Sequence, residues 1–133
     1  MGNIAYFEIP ADDIERAKKF YQKVFGWDIK KAQMPGIPAD YQGVTTGKAK
    51  IEKGPGGEMS QLNSGGMMKR MYPGQGITNY VQVESVDKIM EVIKKNGGKE
   101  MGERINIPGV GRLGFFTDSE GNTLALWEPE KKK

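Results

Sequence analysis

Residues 6 to 27, Tyr-Phe-Glu-Ile-Pro-Ala-Asp-Asp-Ile-Glu-Arg-Ala-Lys-Lys-Phe-Tyr-Gln-Lys-Val-Phe-Gly-Trp, read as a strand, a capped helix and a glycine stop, and a fainter copy begins 72 positions later. The repeat points to one compact domain made of two similar halves. Tyr6 to Ile9 alternate as a strand does, and Pro10 is expected to end its ladder. Asp13 is placed to accept from the first-turn amides, and Glu15 adds charge of the favourable sign. Ile14, Ala17, Phe20, Tyr21, Val24 and Phe25 recur at spacings of three and four, which puts them on one helical face. Gly26 closes the helix as a left-handed cap. Adding 72 maps Ile9 onto Val81, Asp13 onto Ser85, Glu15 onto Asp87, Ala17 onto Ile89, Tyr21 onto Ile93 and Gly26 onto Gly98. Two ordinary strand-helix units could share part of this match, because helices commonly start with Asp or Ser and end with Gly.

Beyond the first helix, strands are expected at Trp27 to Gln33, Tyr41 to Thr46 and Gly65 to Met71, with a turn at Met34-Pro-Gly-Ile-Pro. Gly47 to Ser64 is glycine-rich and aperiodic, and reads as a long mobile loop able to cover a site. Tyr72-Pro-Gly-Gln-Gly is the natural linker between halves. The second half gives a strand at Ile77 to Val83, a helix from Val86 to Asn96, and strands at Gly98 to Arg104, Arg112 to Thr117 and Thr123 to Trp127.

Chemistry is bounded by what is missing. Without His or Cys, the chain by itself cannot form a Ser-His-Asp or Cys-His system, a thiolate-imidazole zinc site or a two-His-one-carboxylate iron site. A metal would need oxygen ligands alone, which restricts it to hard ions held by several carboxylates. The net charge of +3 equals the contribution of Lys131, Lys132 and Lys133, so the body is near neutral. Nucleic-acid binding therefore has little support. No apolar stretch approaches a membrane span, the N-terminus lacks a secretory pattern, and a cytoplasmic protein is the default expectation.

Phe7-Glu-Ile-Pro-Ala-Asp-Asp, Arg16-Ala, Phe20-Tyr, Gly26-Trp27, Gly65-Gly-Met-Met, Tyr80-Val-Gln-Val-Glu-Ser-Val-Asp and Asp118-Ser-Glu-Gly-Asn together resemble the vicinal oxygen chelate superfamily of glyoxalases, bleomycin-resistance proteins and extradiol dioxygenases. The resemblance implies an α+β fold, a single glyoxalase-like domain over residues 1–133 with module one at about 1–71, a linker at 72–76 and module two at about 77–130. The two tandem βαβββ modules would form a curled mixed sheet with helices outside and a cup-shaped cleft inside. It also implies a homodimer, with the cup built within one chain or between two.

Family enzymes place metal ligands on cup-facing strand positions, which align here with Tyr6, with Gly66 or Met68, with Thr78 and with Ala125. None is His, Asp or Glu, so no metal and no other cofactor is expected. By strand alternation Tyr6, Glu8, Thr78, Tyr80, Gln82, Ala125 and Trp127 would face the cleft, with Met68 as a further ligand-binding candidate. Phe7, Ile9, Val81, Val83, Leu124 and Leu126 would pack under the helices. Glu8 is the candidate for catalysis, as a general base or as the counter-charge of a cationic ligand. Its alternative role is a carboxylate that hydrogen-bonds a tyrosine and only shapes the cup.

Two motifs are expected to be decoys. Gly109-Val-Gly-Arg-Leu-Gly fits the dinucleotide fingerprint but runs on into the strand-like Phe115 and Phe116. Asp118, Glu120 and Asn122 imitate the start of a calcium loop whose twelfth position is Pro129. The leading expectation is a metal-free protein that binds a small molecule, of the kind that sequesters a toxic or antibiotic compound. The alternatives are a lyase, isomerase or dioxygenase-related enzyme with a non-standard site, and a structural or regulatory dimerisation module.

Overall fold

The computed structural model describes residues 2–32, 36–47, 52–53, 59–60 and 63–131. The chain divides into two compact units, one of Tyr6–Gln33 and Pro38–Ile77, the other of Met1–Ala5, Met34–Ile37 and Thr78–Lys133.

In the first unit, β1 (Asn3–Ala11) leads into α1 (Ile14–Phe25), then β2 (Asp28–Lys31), β3 (Gln42–Thr45), the short pair β4 (Glu52–Lys53) and β5 (Met59–Ser60), and β6 (Ser64–Lys69). β1 runs parallel to β6, while β6 with β3 and β3 with β2 are antiparallel. In the second unit β7 (Thr78–Gln82), α2 (Val86–Lys95), β8 (Lys99–Ile107), β9 (Gly111–Thr117) and β10 (Thr123–Pro129) follow in order. Here β7 is parallel to β10, and β10 with β9 and β9 with β8 are antiparallel. Each half is therefore an α+β module of the βαβββ kind with the same mixed pairing. Among the described residues no helix is long and apolar enough to cross a membrane.

Local chemistry explains most of the boundaries. Asp13 caps α1 through a bond from the Arg16 amide at 3.0 Å, and Ser85 caps α2 through the Lys88 amide at 3.2 Å. Gly26 ends α1 at φ 71° with its amide on the Gln22 carbonyl. Asp13→Ala is expected to cost about 1 kcal/mol, read as a lower urea midpoint with an unchanged slope; an unaltered midpoint would show that the cap contributes nothing.

Four expectations are corrected. β1 does not stop at Pro10: Pro10 pairs with Met68 and Ala11 with Lys69, and the Arg70 amide donates to the Ala11 carbonyl at 2.9 Å. Proline lacks only its own donor, so the carbonyls continue the ladder. In the second repeat the left-handed residue is Gly97, at φ 96°, rather than Gly98. Gly98 is required for another reason, since an added Cβ would overlap Ile93 Cγ2 and lie 2.9 Å from the Thr117 carbonyl oxygen. The segment from Gly47 to Ser64 is not wholly without regular structure, because β4 pairs with β5; the rest of that expectation falls largely outside the described residues. β8 extends beyond Arg104 to Ile107 and is bulged between Met101 and Ile105, with Arg104 in the bulge bonded to Glu100 at 2.8 Å and to Asp87.

The cores lie where alternation placed them. Val83, Leu126, Val81 and Leu124 pack with Val86, Met90 and Phe116 in the second unit, and Phe7 packs with Ala11, Ile29, Val44 and Met67 in the first. Along α1, Ile14, Ala17 and Tyr21 join that core, whereas Phe20, Val24 and Phe25 stay exposed. Tyr21 stacks on Trp27 with ring centroids 4.9 Å apart.

Candidate functional site

Tyr6 and Glu8 stand two apart on β1 and so share a face of the sheet. Glu8 is opposite Gly66 on β6, and Gly66 is opposite Gly43 on β3. Tyr41, immediately before β3, reaches over Gly66. Its hydroxyl donates to Glu8 Oε2 at 2.8 Å and lies 2.8 Å from the hydroxyl of Tyr6. The three half-buried side chains thus form one hydrogen-bonded row. Burial, then the nearby Glu8 carboxylate and the Tyr6 ring, pushes the Tyr41 hydroxyl far above its ordinary range. Burial likewise raises Tyr6, against a lowering by its bond to Tyr41. Both phenols stay protonated at any physiological pH.

Gly66 makes this row possible. A Cβ there would overlap the Tyr41 hydroxyl and sit 2.5 Å from the Tyr6 hydroxyl, so the two phenols occupy the space a side chain would need. On the other face, a Cβ at Gly65 would reach the Phe7 ring. The Gly65-Gly66 pair is a slot for aromatic rings on both sides of β6.

The second unit has a counterpart. Tyr80, the repeat partner of Glu8, is opposite Ala125 on β10, and Ala125 is opposite Phe115 on β9. Tyr80 and Phe115 meet edge to face over that small residue, with centroids 6.0 Å apart. The pairing also resolves the choice between Gly66 and Met68. Gly66 occupies the position equivalent to Ala125, since Glu8 and Tyr80 are equivalent, whereas Met68 pairs with Pro10.

The remaining candidates are placed as follows. Thr78 is buried, Gln82 is exposed and pairs with Trp127, and the Trp127 indole donates to the Val110 carbonyl at 2.9 Å, which ties β10 to the turn before β9. The structure brings Tyr6 and Glu8 together through Tyr41, a residue that sequence reasoning placed in a strand and gave no role. A recess of ≈ 430 Å³ in the same unit lies beside the start of α1, lined by Asp12, Ile14, Asp40, Gln42 and Lys69 among others, and includes neither Glu8 nor the tyrosines.

Both decoys resolve structurally. Gly109, at φ 81°, lies in the turn before β9 and Gly111 opens the strand itself, so the motif does not open a helix that could bind pyrophosphate. Asp118 Oδ1 accepts from the amides of Glu120 and Asn122 at 2.8 and 2.9 Å, and Gly121 takes φ 84°. Those bonds, that from the Asn122 amide first, hold the Asp118 carboxyl below the usual carboxylate range. Its oxygens close a tight hairpin.

Comparison with known proteins decides the family. A model of the bleomycin resistance protein-like N-terminal segment matches residues 3–43. A glyoxylase-like domain-containing protein of Didymella fabae is 34% identical over 128 residues, spanning 94% of this chain and 92% of the relative. The chain belongs to the glyoxalase and bleomycin-resistance, or vicinal oxygen chelate, superfamily. "Putative glyoxylase CFP32" of Mycobacterium tuberculosis is 29% identical over 98% of this chain but only 47% of the relative, so the chain spans about half the length of that protein. The fold is also that of methylmalonyl-CoA epimerase from Mycobacterium tuberculosis, at 17% identity, TM-score 0.61, and coverage of 96% of this chain and 87% of that one.

For a vicinal oxygen chelate protein, the donor set is unusual. At the positions aligned with family metal ligands stand Tyr6, Gly66, Thr78 and Ala125, and the phenols fill the space over Gly66. Neutral phenols beside one carboxylate are poor ligands for a divalent ion. Among the described residues no group of three or more His, Cys, Asp or Glu converges. These residues do not fit the superfamily's metal.

Proposed function

We infer that this chain is a small-molecule-binding member of the superfamily in which the row Tyr6, Tyr41 and Glu8 takes the ligand-facing place that relatives give to a metal centre. The observation that carries this reading is the filling of the Cβ space of Gly66 by two hydroxyls bonded in series to a carboxylate. A half-buried carboxylate with rings beside it is a point of recognition. The Tyr41 hydroxyl donates to Glu8 Oε2, so the carboxylate is the acceptor of that bond.

The test has a metal arm and a ligand arm, both on the full chain. Magnesium, manganese, nickel or zinc at millimolar concentration is expected to leave the melting temperature unchanged, because only an ion bound by the native state stabilises it. A rise abolished by Glu8→Gln would overturn the metal-free reading. In saturation-transfer NMR against a fragment library, hits are expected to be lost in Glu8→Gln and weakened in Tyr6→Phe. Hits indifferent to both substitutions would place the ligand elsewhere and sink the assignment.

A further inference from the structure

The recess beside the start of α1 holds a buried acceptor that the Tyr6, Tyr41 and Glu8 row does not use. Gln42 pairs with Lys31 on β2 and with Met67 on β6, one register step from the line of Gly43, Gly66 and Glu8. Adjacent positions point to opposite faces, so Gln42 and Lys31 lie on the side where Val44 and Ile29 pack under α1. Gln42 is 5% exposed and lines the recess. Its Nε2 donates to the Asp40 carbonyl at 3.1 Å, which fixes the orientation of the amide. Its Oε1 is shielded from solvent and accepts no hydrogen bond among the described residues. Such an acceptor costs free energy until a donor meets it. Carboxylates and fully ionised phosphates have no proton to give, so the complement is an N–H or O–H group.

The surrounding charges choose between neutral and cationic donors. Four carboxylates, those of Asp12, Asp13, Glu15 and Asp40, line the recess against the ammonium groups of Lys31 and Lys69. Asp12 pairs with Arg70, Asp13 caps the positive end of α1, and the Lys69 ammonium donates to the Asp12 carbonyl. Among the described residues Glu15, Asp40 and Lys31 have no such partner, which leaves the recess negative. A planar amidinium or guanidinium presents its N–H groups as a fork, so one can meet Gln42 Oε1 while another meets the Asp40 carboxylate. We propose that this recess is a second binding site, which takes an organic cation of the amidinium or guanidinium class through Gln42 and Asp40.

Benzamidinium, benzamide and benzoate share one shape and differ in charge and donors. Each is titrated into the full chain near neutral pH, with the backbone amides of Asp13, Lys31 and Lys69 and the side-chain amide of Gln42 followed in nitrogen-proton correlation spectra. Benzamidinium is expected to shift these signals saturably, with an affinity at least about tenfold above benzamide, and benzoate is expected to leave them in place. Gln42→Met keeps the length of the side chain without its acceptor and is expected to weaken benzamidinium about tenfold, read on the backbone amides. Asp40→Asn, at an exposed position, is expected to weaken benzamidinium about threefold and leave benzamide unchanged; it keeps the proposal testable if Gln42→Met does not fold. Equal affinities for benzamidinium and benzamide, or tighter binding of benzoate, would overturn the selection of a cation. Shifts confined to Tyr6, Gly66 and Tyr41 would place the cation at the row and remove the recess as its site. Signals that stay in place with all three probes would overturn the proposal and leave the row untouched.

Discussion

Gly111→Ala is expected to destabilise the chain by roughly 3 kcal/mol or more. Gly111 has φ 131°, where a side chain is strained whatever the available space. A Cβ built there overlaps the Glu128 carbonyl oxygen and lies 2.8 Å from the Glu130 nitrogen and 3.0 Å from the Pro129 carbonyl carbon. All three contacts are main chain, so no rotamer change relieves them. The only relief is separation of β9 from β10 at the Gly111 and Pro129 pair, beside the bond from the Glu130 amide to Val110. A melting temperature lower by about 10 °C is expected. Gly76→Ala is the control, because nothing lies within 4 Å of its added Cβ and a substitution without such contacts stays within about 0.5 kcal/mol. Equal melting temperatures for the two variants would refute the argument.

That glycine also shows where sequence reading stops. The motif around it matched a cofactor fingerprint, and strand context removed that role, but no local signal said that Gly111 faces the backbone of β10. Features decided within one turn of chain were legible: the Asp13 and Ser85 caps, the Gly26 stop, and the apolar faces that became the two cores. Features decided by neighbouring strands were not. Tyr41 lies 33 residues from Glu8 in sequence, and their meeting depends on β3, β6 and β1 aligning Gly43, Gly66 and Glu8 across the sheet. Alternation gives the face of a residue but not its lateral partner. The stripe of α1 was legible as apolar, yet its period could not say that Phe20, Val24 and Phe25 would remain exposed. The shift from Gly98 to Gly97 in the second repeat has the same origin, since the demand on Gly98 comes from Ile93 and Thr117 rather than from its own φ.

The two modules share a device beneath their different chemistry. Gly66 and Ala125 hold the same place in the pairing of the two last strands, and each is the small residue beneath two rings. In the second module the rings are Tyr80 and Phe115, which meet edge to face. In the first both rings carry hydroxyls, and a carboxylate stands where the repeat has Tyr80. A position that family resemblance reserves for a ligand side chain has become a floor. What differs is the row laid over it, with Glu8 in the first module where the second has Tyr80.

Gly66→Ala tests that floor directly and is expected to break the row while costing about 1–3 kcal/mol of stability. The new Cβ would overlap the Tyr41 hydroxyl and stand 2.5 Å from that of Tyr6, so the row must break even though the backbone can stay. Unlike the contacts at Gly111, these are the far ends of side chains that can swing away, which keeps the stability cost lower. Breaking the row leaves the Tyr41 and Tyr6 protons without their ordered acceptors and Glu8 without its phenolic donor. A double-mutant cycle with Tyr41→Ala separates steric conflict from any general effect of alanine in β6. Removing the Tyr41 ring should make Gly66→Ala less costly by about 1 kcal/mol or more, because the two substitutions act through one contact. Additive costs in urea denaturation would mean that the phenols do not occupy the space over Gly66, and the account of the row as a filled slot would fail with them.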